Sequence, residues 1–164
     1  MREQLSLRIA QPVDVVAIVA LVNGYASDRV MLPISAERVT LALDDFIVAV
    51  DVRGRVRACG ALKEYSPSLA EVASLAVARD AHGGGLGRRM VAELEALARM
   101  RGIDELFALT LTGGFFESVG YVLTERARYP EKIRRDCSSC PRRFGCNEVC
   151  VARMLRADTL EYAA

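Results

Sequence analysis

The sequence lacks the features that would assign the chain to a membrane, a nucleic acid or a secretory pathway. No apolar run approaches the ~20 residues that a membrane-spanning helix needs. The 22 basic and 21 acidic residues leave a net charge of +1, so nothing global favours nucleic acid or a membrane surface. Residues 1–8 carry charges and no long apolar segment, so no secretory signal is expected. These absences predict a cytoplasmic protein that binds neither nucleic acid nor membrane.

Alternation of apolar and polar residues predicts an α+β chain, and 164 residues suit one domain with a real core. The predicted strands are residues 5–9, 46–50, 56–62, 71–77, 106–110 and 121–127. The predicted helices are residues 12–22, 35–43, 86–101 and a short one after Gly113-Gly114, and Gly24 is expected to end the first helix. Residues 1–130 form the predicted domain, and residues 131–164 form a Cys-rich C-terminal extension packed on it.

The most informative segment is a strand that leads into a glycine-rich turn and then into a helix. The strand is Glu71–Val77, and the turn from His82 to Gly87 reads H-G-G-G-L-G. Glycine has no Cβ, so several backbone N–H groups of such a turn can approach a phosphate, and the helix N-terminus adds partial positive charge. The Lys and Ser/Thr of a Walker A loop do not follow Gly87. An ordinary strand–helix turn is the alternative.

The order of these segments resembles the GNAT family of acyl-CoA-dependent N-acetyltransferases. The family's pyrophosphate loop, Arg/Gln-x-x-Gly-x-Gly/Ala, follows a Leu-x-Val-like triplet; here His82-x-x-Gly85-Leu-Gly87 follows Leu75-Ala-Val77, with His82 replacing Arg or Gln. The resemblance implies a GNAT fold, with a mixed, mostly antiparallel central sheet flanked by helices, and acetyl-CoA as co-substrate. It implies that the acetyl-CoA site consists of Leu75, Ala76, Val77, His82, Gly83, Gly84, Gly85, Leu86, Gly87 and Arg88.

Further segments resemble the acetyltransferase domain of N-acetylglutamate synthases. These segments are Cys59–Leu62, Glu71–Val77, Leu106–Thr110 and Phe115–Tyr121, and the tail from Lys132 to Glu148 resembles that of the short stand-alone bacterial members. The resemblance implies acetyl transfer to the α-amino group of an amino acid, with L-glutamate as the expected acceptor and arginine synthesis as the pathway. The alternatives are transfer to another amine or a peptide N-terminus, and a non-catalytic acyl-CoA-binding regulator. A homodimer is left open.

Two residues depart from the family pattern. Many GNAT enzymes have a Tyr at the position of Phe116, where it protonates the departing thiolate, and Phe116 cannot donate a proton. Related synthases tend to read Leu-Pro-Arg-Ser where this chain has Leu32-Pro-Ile-Ser35. An Arg at that position would suit a substrate carboxylate, so Ile34 bears on the choice of acceptor.

Acetyl transfer to an amine requires a base, a polarised thioester carbonyl and a proton for the thiolate. Glu71, at the start of its strand, is the candidate base, directly or through water; a solvated carboxylate is the alternative. A backbone N–H near Val77 is the candidate oxyanion donor. The Thr112 hydroxyl is the candidate for assisting the thiolate, or it stabilises a turn. Lys63 and Lys132 are the candidate partners of the acceptor's carboxylates, although a lone Lys is usually solvated.

The cysteine-rich tail predicts a second site. Five cysteines in a cytoplasmic protein are expected to be thiols or metal ligands rather than disulfides. The spacing Cys137-x2-Cys140-x5-Cys146-x3-Cys150 resembles a tetrahedral thiolate site, with Cys146 and Cys150 expected on one helix face and zinc as the best-suited metal. Free thiols or a disulfide are the alternatives, and Cys59 is expected in the core.

Overall fold

A seven-stranded mixed sheet organises the computed structural model, which describes residues 3–155 of the chain. The strand order is β1-β2-β3-β4-β5-β7-β6. The strands are β1 (Leu5–Ile9), β2 (Phe46–Asp51), β3 (Val56–Ser66), β4 (Leu69–Val77), β5 (Glu105–Thr110), β6 (Val122–Thr124) and β7 (Val149–Met154). β4 and β5 pair in parallel, whereas the pairs β1–β2, β2–β3, β5–β7 and β6–β7 are antiparallel. The mixed, mostly antiparallel sheet predicted from the sequence is confirmed.

The helices connect these strands near the predicted positions. They are α1 (Val15–Ser27), α2 (Ala36–Leu41), α3 (Leu86–Met100), α4 (Gly113–Ser118), α5 (Pro130–Lys132) and a π-helical turn (Ile133–Cys137) that continues α5. Within residues 3–155, none of the helices combines the length and apolar character that crossing a membrane would require. The predicted division at residue 130 stays a prediction, and residues 156–164 of the predicted extension lie outside the described residues.

The first of two compact units comprises the chain up to Lys63 together with Val72–Leu97. Its apolar core includes Ile18 of α1, Val39 of α2, Val48 of β2 and Cys59 of β3, all fully buried. Burial raises the pKa of the Cys59 thiol to about 12. Cys59 is therefore a small apolar core residue, as the sequence predicts.

The predicted end of the first helix is wrong. α1 continues through Gly24 to Ser27, because Gly24 lies on its exposed side and the next turn is held by Tyr25. The Tyr25 hydroxyl donates to the backbone oxygen of Val77. A contact between residues this far apart in sequence outweighs the weak helix-stopping tendency of one glycine, which is of the order of 1 kcal/mol.

Within the described residues, the second unit comprises Glu64–Glu71 and residues 98–155. Its centre is an aromatic cluster in which the Phe107 ring lies 4.1 Å from Tyr129 and 5.6 Å from Tyr65, measured between ring centroids. Cys150 and Ala152 of β7 are buried in the same cluster. The cluster joins β3, β5, β7 and the chain before α5 by apolar contact.

The predicted helix through Cys146 and Cys150 is wrong, because Cys150 lies in β7. β7 is paired on both sides, with Cys150 opposite Leu109 of β5 and opposite Thr124 of β6. The i, i+4 spacing of the two cysteines satisfies a helical pattern locally, but hydrogen bonds to two other strands decide the conformation. These partners are distant in sequence, so local periodicity gives no signal for them.

β4 departs from regular strand geometry at Ser74, whose φ is 51°. A left-handed backbone costs a residue with a Cβ of the order of 1–2 kcal/mol, and such costs concentrate at functional sites. The pairs of β4 with β5 are Leu69–Glu105, Ala70–Leu106 and Glu71–Phe107, all before Ser74. The strand that carries the sequence-predicted base thus has an irregular centre.

Candidate active site

The glycine-rich turn joins β4 to α3 in the first unit. Gly83 and Gly85 have φ values of +83° and +80°, and no heavy atom lies within 4 Å of a Cβ placed on either. Leu86 is buried and anchors the start of α3, while His82 and the three glycines are exposed. The Gly85 carbonyl accepts from the Arg89 N–H, the first backbone bond of the helix. The N–H groups of the first turn of α3 have no partner within the helix, as at any helix start, and the binding of a phosphate there stays a prediction.

A triangle of polar atoms fixes the start of this turn. The Tyr25 hydroxyl donates to the Val77 oxygen at 2.5 Å, and His82 Nε2 lies 2.7 Å from that hydroxyl and 3.0 Å from the same oxygen. The Arg79 guanidinium lies over the Tyr25 ring, 4.6 Å from its centroid, and is paired with Asp28. Burial raises the pKa of the Tyr25 hydroxyl, which stays a neutral donor. Sequence reasoning missed Tyr25 because it lies beyond the predicted end of α1.

A buried polar cluster surrounds Glu71 in the second unit, and we call its four members the Glu71 quartet: Glu71, Tyr65, Lys132 and Asp136. Glu71 is 5% exposed. Its Oε2 lies 2.9 Å from both Lys132 Nζ and the Tyr65 hydroxyl. Asp136 Oδ2 lies 3.0 Å from the same ammonium and 2.5 Å from the same hydroxyl. The structure thus brings together two residues, Glu71 and Lys132, to which sequence reasoning gave separate roles.

The charges of the Glu71 quartet follow from these contacts. Burial lowers the pKa of Lys132, but Glu71 and Asp136 outweigh it and the net pKa is raised, so the ammonium stays charged. Burial and the neighbouring Glu71 raise the pKa of Tyr65, so its hydroxyl stays protonated. Lys132 is therefore not a solvated surface lysine, and its nearest anions belong to the protein.

Thr112 directly precedes α4, and Phe116 lies within that helix. The Thr112 hydroxyl lies 2.9 Å from the Thr110 hydroxyl, and either of the two can be the donor. Thr112 is exposed, so its hydroxyl can also donate a hydrogen bond to a bound ligand. Phe116 is buried, with the rings of Phe115 and Tyr121 edge-on at centroid distances of 5.2 Å each. Phe116 is a core residue, and the role of Thr112 stays a prediction.

Ile34 is held in place through its backbone. The Asn23 side chain donates to the Ile34 oxygen at 3.1 Å and accepts from the Ile34 N–H at 2.9 Å. The Ile34 side chain packs against the apolar core of the first unit. An apolar contact thus takes the place of the Arg expected in related synthases. Lys63, the other predicted carboxylate partner, lies half-buried on β3.

The predicted zinc site does not fit the arrangement of the tail. Among the residues from 3 to 155, no group of three or more His, Cys, Asp and Glu could hold a metal ion. Cys150 is buried in the aromatic cluster, whereas Cys137, Cys140 and Cys146 are half-buried outside it, and all are free thiols. Arg126 Nη2 donates to Cys146 Sγ at 3.2 Å, and the Arg142 N–H donates to Cys140 Sγ at 3.4 Å. The predicted tetrahedral site is therefore wrong for the ligand set Cys137, Cys140, Cys146 and Cys150. The reason is that Cys150 is paired within β7 and buried in the aromatic cluster.

Thiol counting tests this arrangement. We expect the half-buried Cys137, Cys140 and Cys146 to react with a disulfide reagent in the native protein, and Cys59 and Cys150 to react only after unfolding. Burial also raises the pKa of Cys150 to about 11, which leaves little thiolate at pH 8. A metal site would instead protect all four tail cysteines until a chelator is added. Mass spectrometry of the labelled peptides distinguishes the two patterns.

Comparison with known proteins agrees with the fold. The model of the acetyltransferase (GNAT) domain family matches residues 42–123. An uncharacterized N-acetyltransferase of Chlorobaculum tepidum is 40% identical over 149 residues, which cover 91% of this chain and 96% of that protein. An amino-acid acetyltransferase of Neisseria meningitidis is 33% identical over 137 residues, or 82% of this chain and 31% of that protein.

A solved structure shares the same fold. N-acetylglutamate synthase from Neisseria gonorrhoeae, complexed with coenzyme A and N-acetyl-glutamate, superposes with a TM-score of 0.83 at 30% identity over 94% of this chain and 36% of that one. The chain thus spans about a third of the length of these two Neisseria proteins. The chain belongs to the GNAT family of acetyltransferases. It is an acetyl-CoA-dependent N-acetyltransferase related to the amino-acid acetyltransferases.

Proposed function

We propose that the chain transfers the acetyl group of acetyl-CoA to the α-amino group of L-glutamate, the first step of arginine synthesis. The likeness to the synthase complexed with N-acetyl-glutamate is the observation that carries this proposal. A different amino-acid acceptor is the second candidate, and Ile34 favours it, because an apolar side chain replaces the Arg that would bind a carboxylate.

In the proposed mechanism, the Gly83–Gly87 turn and the first turn of α3 bind the pyrophosphate of acetyl-CoA through backbone N–H groups. Tyr25 and His82 hold the end of β4, where a backbone N–H near Val77 would polarise the thioester carbonyl. All of these residues belong to the first unit. Binding of the pyrophosphate in this way requires no basic side chain in direct contact with the phosphates.

In the second unit, Glu71 accepts a proton from the acceptor's ammonium, directly or through water. The neutral amine then attacks the thioester carbon and the C–S bond of the tetrahedral intermediate breaks. The second proton of the amine nitrogen passes to the departing thiolate, assisted by the Thr112 hydroxyl, and CoA leaves as the thiol. Phe116 cannot protonate the thiolate, and Thr112 is exposed and hydrogen-bonded to Thr110. Lys63 is the remaining candidate for the acceptor's side-chain carboxylate.

An acceptor screen over the twenty amino acids, read out as free CoA thiol, tests the proposed function. We expect glutamate to give the largest kcat/KM, and release of thiol only with an acceptor present. If another amino acid exceeds glutamate, the second candidate is correct. If no amino acid releases thiol while acetyl-CoA still binds, the proposed transfer to an amino acid is wrong.

The Ile34→Arg variant belongs in the same screen. A new charge-assisted pair with the substrate carboxylate is worth about 1.5 kcal/mol, so kcat/KM for glutamate should rise about tenfold. Ile34→Met is the matched control, because it keeps an apolar side chain of similar volume. An unchanged preference in Ile34→Arg would show that this position does not face the acceptor.

A further inference from the structure

The Glu71 carboxylate is buried, and burying a negative charge has a desolvation cost. The Glu71 side chain is 7% exposed, whereas the Asp136 side chain is 26% exposed. A buried carboxylate takes up a proton unless an opposite charge or hydrogen-bond donors compensate it. The group that compensates the buried charge of Glu71 is therefore part of what lets it act as a base.

Lys132 is the cation that contacts Glu71. The one-turn helix α5 and the π-helical turn after it place Lys132 and Asp136 four residues apart on one side, both facing Tyr65 and Glu71. Two carboxylates thus share one ammonium and one hydroxyl. Tyr65 has a single hydroxyl hydrogen, so it can donate to only one of them at a time.

Without Lys132, the two carboxylates would meet at one hydroxyl with a single hydrogen between them and without the ammonium that they share. Asp136 is the more exposed of the two, so water solvates its charge. Glu71 is the more buried, so it depends more on Lys132.

We propose that Lys132 is a positioning residue of the base: it compensates the buried charge of Glu71 and orients its carboxylate, and it does not bind the acceptor's carboxylate. This inference rests on the proposed role of Glu71 as the base. An acceptor carboxylate at Lys132 would be a third anion around one ammonium that already lies 2.9 Å and 3.0 Å from two. The C-terminal segment around α5 thereby becomes part of the acid–base machinery.

Among the contacts described for residues 3–155, the other charged and titratable groups near the quartet have other partners or are neutral. The Arg135 guanidinium lies over the Tyr65 ring, 5.2 Å from its centroid, and donates to the backbone oxygen of Glu64. The aromatic cluster next to Glu71 contributes Cys150 and Tyr129, whose pKa values are raised by burial, so both are neutral near pH 7. Glu105 of β5 is paired with Arg128.

The test is the pH dependence of kcat/KM in Lys132→Met, measured with the best acceptor of the screen. We expect the acidic limb to move to higher pH by about one unit, so that kcat/KM at a given pH on that limb falls about tenfold and recovers as the pH rises. The acceptor's KM should change less than about twofold. A KM that rises about tenfold or more with an unmoved pH profile would assign Lys132 to the substrate and overturn the proposal.

A double-mutant cycle with Glu71→Gln shows whether Lys132 acts through Glu71. If it does, Lys132→Met should lower kcat much less in the Glu71→Gln background than in the wild type, since the base is already absent. Equal losses in the two backgrounds would contradict the proposal. Arg134→Met is the matched control, because Arg134 is an exposed cation of the same segment, paired only with Glu131 among the contacts described. It should leave the pH profile unchanged.

Two further variants keep the test decisive. Lys132→Gln retains hydrogen-bond donors without the charge, and it should shift the acidic limb by about as much as is expected for Lys132→Met. It replaces Lys132→Met in the test if that variant does not fold. Lys132→Arg restores the charge and should move the limb back toward that of the wild type. Full kcat in Glu71→Gln would refute the base itself, whereas an inactive Glu71→Gln together with unshifted Lys132 variants would refute only the inference about Lys132.

Discussion

Gly85→Asp is expected to weaken acetyl-CoA binding about a hundredfold while the protein stays folded. Gly85 directly precedes α3 and has a φ of +80°, and no atom lies within 4 Å of an added Cβ, so the side chain fits into solvent. The new carboxylate would face the pyrophosphate that the loop is proposed to hold. Two like charges about 5 Å apart at an effective dielectric constant of about 20 repel by about 3 kcal/mol, which corresponds to a factor of about a hundred. Isothermal titration calorimetry measures the change.

Two variants separate the charge from the backbone strain. Gly85→Asn carries a side chain of the same shape without the charge, and Asn tolerates a positive φ, so it should lose far less affinity. Gly54→Asp introduces the same residue at the same φ of +80° in the exposed turn between β2 and β3, away from the loop. Because Gly54 is outside the turn that is proposed to hold the pyrophosphate, this variant should bind acetyl-CoA nearly as the wild type does. An unchanged dissociation constant in folded Gly85→Asp would refute the phosphate-binding loop.

Glu71→Gln is expected to lower kcat by about a hundredfold or more, the usual contribution of a general base, with little change in the affinity for acetyl-CoA. The amide keeps the shape of the side chain and can still accept from Tyr65, but it cannot take up the acceptor's proton. The loss should shrink at higher pH, where more of the amine is already neutral. Steady-state kinetics from pH 6 to pH 10 with the best acceptor give the profile.

Glu105→Gln is the matched control for this prediction. Glu105 is another half-buried carboxylate of the second unit, where it accepts from Arg128 and lies outside the Glu71 quartet. Its substitution should cost some stability and leave kcat nearly unchanged. If Glu71→Gln keeps full turnover at neutral pH, the quartet has a structural role and another group must be the base.

Local patterns in the sequence determined much of this protein. The glycines from Gly83 to Gly85, between an apolar strand and an amphipathic helix, predicted the loop, because positive φ values and helix starts depend on a few adjacent residues. The same kind of pattern placed Glu71 at the start of a strand and Cys59 in the core. The family resemblance in these segments predicted the fold, which the structure and the comparisons confirm.

The tertiary structure alone decided which side chains act together. The extension of α1 through Gly24 depends on Tyr25 meeting Val77, and the loss of the predicted cysteine site depends on β7 pairing with β5 and β6. The joining of Lys132 to Glu71 likewise depends on how the chain after Tyr129 folds back. Such contacts are made between residues far apart in the chain, and their free energy comes from burial and pairing that no local periodicity encodes.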